Sequence, residues 1–175
     1  LEELIPNELT MGGLIAVLRN LLAERISIRD FRTILEALAD HAPKIKDPDE
    51  LTERVRQRMG RQVTAHHATP DGKLFALVLA PSIESTFRRM QGGGGGMLDP
   101  AEVRRLMESF EGAVAQVGAM DDVPVVVCAA DIRRSVGAFV RRHLPQVSVL
   151  SFRELASKTD LQTLGVIGDA GEVRA

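Results

Sequence analysis

The sequence predicts a small all-helical subdomain over residues 1–61, followed by an α/β subdomain over residues 62–175 with a four- to five-stranded, largely parallel sheet. Three observations predict it. In the first sixty residues apolar side chains recur at three- and four-residue spacing, the signature of helices with one buried face. From Lys73 onward, apolar runs too short for a typical helix alternate with amphipathic stretches. Strands joined through helices run parallel, because a parallel pair needs a long crossover.

Each helix of the first part has a start and a stop. Leu14, Val17, Leu18, Leu21 and Leu22 give one apolar face to a helix over about 11–25. Ser27-Ile28-Arg29-Asp30 opens the next, with Ser27 as the expected cap and Asp30 reaching back as in a capping box. Phe31, Ile34, Leu35, Leu38, Ala39 and Ala42 form its stripe, and Pro43 stops it. Asp47-Pro48-Asp49-Glu50 starts a third helix with Asp at the cap, Pro in the first turn and acids at the positive end of the dipole. Its stripe is Leu51, Val55 and Met59, and Gly60 ends it. Arg54, Arg56 and Arg58 fall on its polar positions and give it a basic flank.

In the second part, strands are expected over 73–80, 123–128, 147–151 and 161–167, with a polar edge strand over 62–68. Helices are expected near 82–91, 99–117 and 131–143, with a short one near 152–158. Asp99-Pro100-Ala101-Glu102 repeats the cap, Pro and acid arrangement. The five glycines of 92–96 read as a surface connection between two helices.

Composition narrows the function. The 175 residues are 45% apolar and 26% charged, with 22 basic against 24 acidic side chains and a net charge of −2. There is no global attraction to nucleic acid or anionic lipid. Six Phe with no Trp and no Tyr make a poor platform for stacking bases or sugars. The single Cys128 forms no internal disulfide and fits a reducing compartment. No stretch approaches the ~20 apolar residues of a membrane span. The start at Leu1 rather than Met reads as a fragment.

No constellation carries catalysis. The glycine run is preceded by a helix and followed by no Lys, so it lacks the context of a phosphate loop. His66 and His67 are adjacent and face opposite ways on a strand, and no Cys/His spacing suggests a metal. Ser151 and Ser157 lack a GxSxG elbow. Cys128 stands at the carboxyl end of a strand, a place for a nucleophile, but a small buried cysteine is the commoner case. No catalytic residue, cofactor or metal is expected. On the helix near 131–143, Ile132, Val136, Phe139, Val140 and Leu144 share one face. Arg133, Arg134, Arg141 and Arg142 occupy the opposite arc, a candidate surface for an acidic partner or a solvated outer face. The first two helices also have helix-turn-helix spacing. Yet residues 1–60 hold nine basic and eleven acidic side chains, which offers nucleic acid no positive footprint.

The segment from Leu14 onward resembles, nearly position for position, a signature of the FlhA/InvA family of type III export gate proteins, flagellar and virulence. The match rests on Leu18-Arg19-Asn20-Leu21-Leu22, Ser27-Ile28-Arg29-Asp30, Thr33-Ile34-Leu35-Glu36-Ala37-Leu38-Ala39 and Lys46-Asp47-Pro48. It continues through Leu51-Thr52-Glu53, Val55-Arg56 and Gly60-Arg61. More loosely, Leu79-Ala80-Pro81, Leu98-Asp99-Pro100, Val125-Val126-Val127-Cys128, Leu144-Pro145 and Leu164-Gly165-Val166-Ile167 stand where the family has similar residues. Gly12-Gly13 and the tail after Gly168 depart from it.

The resemblance implies a non-enzymatic role. It implies an N-terminal membrane domain absent from this chain, and a cytoplasmic domain that assembles into a ring of nine at the bacterial inner membrane. That ring receives chaperone–substrate complexes and other export-apparatus proteins. The chain matches the last two of four cytoplasmic subdomains, the helical third and the α/β fourth. Because the family uses the third for ring contacts, Arg25, Arg29, Arg54, Arg56 and Arg58, with Asp40, Glu50 and Glu53, become candidate subunit-interface residues. The glycine run after Met90-Gln91 leans toward the flagellar branch. The alternatives are the virulence branch and, from a different class, a helix-turn-helix nucleic-acid module fused to an α/β ligand domain.

Overall fold

The computed structural model describes residues 4, 5, 7–92, 98–117 and 125–168. The chain divides into two compact units, Leu1–His66 and His67–Ala175.

In the first unit, α1 (Met11–Ala23) starts at Thr10, whose Oγ1 accepts the Gly13 N–H at 3.0 Å. Leu14, Val17 and Leu21 are buried as predicted. A Cβ on Gly13 would lie 2.7 Å from Leu9 Cδ1, so glycine there makes room for the buried Leu9. Leu22 departs from the expected stripe and is 53% exposed. It lies about 100° round the helix from Leu21, off the buried arc.

Helix α2 (Phe31–His41) buries Ile34, Ala37 and Leu38, while Phe31 and Ala39 of the expected stripe are exposed. Its cap is Asp30, not Ser27. Asp30 Oδ1 accepts the Thr33 N–H at 3.2 Å and Oδ2 accepts the Thr33 hydroxyl at 2.8 Å. Ser27, three residues farther out, accepts only the Arg29 N–H at 3.3 Å. A cap must stand one residue before the first helical turn, which Asp30 does and Ser27 does not. Helix α3 (Pro48–Arg58) begins as predicted, with Asp47 accepting the Asp49 N–H at 3.1 Å and Pro48 in the first turn. It packs against both α1 and α2.

The edge strand expected over 62–68 is instead helical, in α4 (Gly60–His67). Gly60 therefore begins a helix rather than closing the third-helix region. Gly60, Val63 and Thr64 are buried, an i, i+3, i+4 spacing that belongs to a helix. Val63 N–H donates to the Met59 carbonyl at 3.0 Å, which leads the chain from α3 into α4.

The second unit holds β1 (Lys73–Leu79), β2 (Val125–Cys128), β3 (Ser148–Ser151) and β4 (Asp160–Ile167) in the order β3-β2-β1-β4. All three pairings are parallel. Between β1 and β2 run α5 (Pro81–Gln91) and α6 (Pro100–Val117), and α7 (Arg133–His143) joins β2 to β3. Where a short helix is expected near 152–158, a single 3-10 turn covers Phe152–Glu154. The glycine run lies outside the described residues except at Gly92, as do Val123, Pro124 and the tail after Gly168.

Asp99 caps α6 as predicted. Its Oδ1 accepts the N–H groups of Ala101 and Glu102, both at 2.8 Å, and Glu102 reaches back to the Asp99 N–H at 3.0 Å. The core of this unit combines Leu77, Leu79, Val126, Cys128, Val149 and Ile167 of the sheet with Phe87, Phe110, Val136 and Val140 of the helices. Phe87, Phe110 and Phe139 meet with ring centroids 5.4–6.3 Å apart. Each full burial of such a side chain contributes about 1.5–3 kcal/mol.

Candidate assembly surface

The sequence-predicted interface residues all lie in the helical unit, and its internal polar bonds decide which of them remain available. Asn20, on α1, donates to Asp49 Oδ1 at 2.8 Å and to the Thr52 hydroxyl at 3.1 Å, tying α1 to the start of α3. One turn farther on, Arg56 Nη1 meets Glu24 Oε2 at 3.0 Å. Arg56 was expected on a polar outer position; its side chain is only 3% exposed. The correction has a physical cause, because the carboxylate just past α1 gives the guanidinium a partner inside the helix pair. Arg56 is thereby a fastener of α1 to α3.

The other candidates stay at the surface. Arg54 pairs with Glu50 at 3.3 Å one turn away on α3, and Arg58 pairs across elements with Asp40 of α2. Arg25 and Arg29 are exposed in the connection between α1 and α2. Arg25 has φ +60° and donates its N–H to the Leu22 carbonyl at 3.0 Å, which closes the end of α1. Glu53 is half-buried. Asp30 does structural work: bonds from the Thr33 hydroxyl, the Thr33 N–H and the Gln62 amide hold its carboxyl below the usual aspartate range.

In the α/β unit, the predicted basic arc of α7 divides. Arg134, Arg141 and Arg142 are exposed, but Arg133 is 1% exposed and its Nη1 donates to the Val149 carbonyl at 3.4 Å. Arg133 therefore lies across the helix toward β3 rather than outward. Gly137, one turn on, permits this, since a Cβ there would sit 3.2 Å from Arg133 Nη1. The glycine four residues after the arginine was the available signal. Asp131, just before α7, accepts Arg88 Nε at 2.7 Å and Nη2 at 3.4 Å. Those hydrogen bonds, reinforced by the Arg88 charge, hold its carboxyl below the usual range.

Cys128 is fully buried, with its thiol 3.7 Å from the Leu150 carbonyl. Among the described residues no group of three His, Cys, Asp or Glu side chains could hold a metal ion. No helix among them is long and apolar enough to cross a membrane. The surface chemistry is that of exposed arginines and carboxylates on short helices.

Comparison with known proteins gives this surface a context. The chain is 38% identical over 168 residues to the flagellar biosynthesis protein FlhA of Salmonella typhimurium, covering 95% of this chain and 24% of that protein. It is 37% identical over 157 residues to the hypersensitivity response secretion protein HrcV of Ralstonia nicotianae, covering 85% of this chain and 22% of that one. The chain thus spans about a quarter of the length of these relatives. Among solved structures, the nonameric SctV-C of EPEC matches with a TM-score of 0.83 at 28% identity, covering 95% of this chain and 51% of that chain. Residues 1–160 match the FHIPEP family, and the chain belongs to that family of type III secretion export gate proteins.

Proposed function

We propose that this chain is a non-catalytic cytoplasmic module of a type III protein export gate, whose helical unit makes subunit contacts in a ring. The observation that carries the reading is the likeness of 95% of the chain to a protein solved as a nonamer. A ring needs two different complementary patches on each subunit. Exposed Arg25, Arg29, Arg58, Asp40 and Glu50, with half-buried Arg54 and Glu53, offer both signs on one small unit. The ring is tethered at the bacterial inner membrane by a membrane domain of the longer protein. It receives chaperone–substrate complexes, and Arg134, Arg141 and Arg142 of α7 offer cations to acidic partners.

Of the two branches, the flagellar one is our reading. A specific observation favours the virulence branch as well: the identity to HrcV is within one per cent of that to FlhA. Complementation separates them. Transferred in the context of the longer gene, a flagellar module restores motility to a strain lacking its own gate; restoration of effector secretion without motility overturns that branch.

Ring assembly is tested in the longer natural protein with Arg29→Glu and Arg54→Glu combined. Sedimentation velocity should show loss of ring-sized species with the subunit still folded. An unchanged profile would overturn the assembly role.

A further inference from the structure

We propose that residues 4–9 are a strap, closed over the start of α1, that readies the helical unit for ring assembly. Gly12-Gly13 is a poor helix-forming pair, yet it stands in the first turn of α1. At Gly12 a Cβ would make only an ordinary contact, 3.8 Å from Thr10 Oγ1. Gly13 differs: it is buried, and a Cβ there would lie 2.7 Å from Leu9 Cδ1. The missing side chain leaves a notch, and Leu9 is the knob that fills it.

The segment around Leu9 is built to stay in place. The Leu4 carbonyl accepts the Glu8 N–H at 3.0 Å and the Leu9 N–H at 2.9 Å, which folds the segment into one tight turn. Leu4 is 6% exposed and Leu9 4%, so both ends of the turn are sunk in the protein. Lys46, between α2 and α3, fastens the turn: its Nζ donates to the Glu8 carbonyl at 3.0 Å and to Glu8 Oε2 at 3.1 Å. The two attachments differ in strength. Leu4 and Leu9 bury apolar area, whereas the side chains of the Lys46–Glu8 pair are 62% and 43% exposed and screened by water. The leucine in its notch therefore holds the strap, and the lysine latches it.

The role in assembly rests on the ring reading above. An open entry segment lets the helical unit swivel about the chain before it, and each subunit joining a ring must then freeze that swivel. Ordering a free segment on association weakens binding, whereas a segment already ordered adds no such cost. The closed strap removes the swivel beforehand. None of Leu4, Leu9, Gly13 and Lys46 belongs to the charged set assigned to the subunit contact, so strap and contact can be broken separately.

Gly13→Leu fills the notch with a good helix former, so it should free the strap while α1 stays formed. In the 175-residue chain, hydrogen exchange should show the Glu8 and Leu9 amides losing protection at least tenfold, with α2 and α3 unchanged. Leu9→Ala leaves α1 untouched and should act alike, and Lys46→Ala should lower the same protection only several-fold. In the longer natural protein, sedimentation velocity should show the concentration for half-assembly rising at least several-fold with Gly13→Leu or Leu9→Ala. Strap amides that stay protected in both variants, or that exchange fast in the unsubstituted chain, would overturn the closed strap. Rings that form at unchanged concentration although the strap has opened would overturn its role in assembly. Either failure leaves the ring reading standing, because that reading falls only if Arg29→Glu with Arg54→Glu spares the rings.

Discussion

The helical unit and the α/β unit hold themselves together by different means. In the helical unit, side chains distant in sequence do the fastening: Asn20 to Asp49 and Thr52, Arg56 to Glu24, Gln62 to Asp30, and Lys46 to Glu8. In the α/β unit a parallel backbone ladder and a three-phenylalanine cluster carry that task, and the ion pairs Arg88–Asp131 and Arg89–Glu102 lie at the surface. Size accounts for part of the contrast. A unit of about 60 residues hides only about 60% of the surface its unfolded chain exposes, so it depends on specific polar bonds and leaves apolar side chains outside. In the helical unit these gather on α1, whereas in the α/β unit they are scattered. One unit is built as a scaffold and the other presents surface.

The largest expected effects break one region at a time. Phe110→Ala empties the centre of the aromatic cluster and should cost about 3–5 kcal/mol, read as lost hydrogen-exchange protection in β1, β2 and β3. Arg56→Ala leaves Glu24 without its cation inside the helix pair and should cost about 3 kcal/mol, read as lost protection in α1 and α3. Equal loss in both units from either substitution would erase the contrast between them.

Smaller changes sharpen the local assignments. Asp30→Ala should lower the urea midpoint of the helical unit measurably, while Ser27→Ala should leave it almost unchanged, because only Asp30 bonds the first turn of α2. Acid titration checks the same site. The folded-state pKa of Asp30 is lowered, so its contribution is complete above the ordinary aspartate value of about 3.9 and is lost as pH falls through the lowered one. Asp30→Ala should flatten that acid limb for the helical unit, and Asp131→Asn should do so for the α/β unit, where Arg88 lowers the carboxyl. Smallest is Arg54→Ala, within about 0.5 kcal/mol, since the exposed pair with Glu50 is screened by water.

Much of this architecture was legible in the residues, and the failures are informative. The caps at Asp47 and Asp99 and the strand cores at Leu77, Val126 and Val149 follow from local pattern, because each depends on neighbours within one turn or on period-independent apolar runs. Leu22 was misplaced because spacing gives a helix an apolar face without fixing where its buried centre falls. The 62–68 stretch hid its helix in a polar sequence whose buried positions include a glycine and a threonine. Arg56 has no local signal of its burial, and Arg133 has only Gly137 one turn on. Each is buried by an acceptor far along the chain, Glu24 for one and the Val149 carbonyl for the other. The same holds for the candidate interface: charge and position name the residues, and only the fold shows that Arg56 is engaged inside.

The central claim is that the helical unit, and not the basic face of α7, makes the ring contacts. It is tested most directly by sedimentation velocity of the longer natural protein carrying either Arg25→Glu with Arg29→Glu or Arg141→Glu with Arg142→Glu. The account predicts that the first pair abolishes ring-sized species and the second leaves them intact. Rings that survive the first pair, or that the second pair abolishes equally, would contradict it.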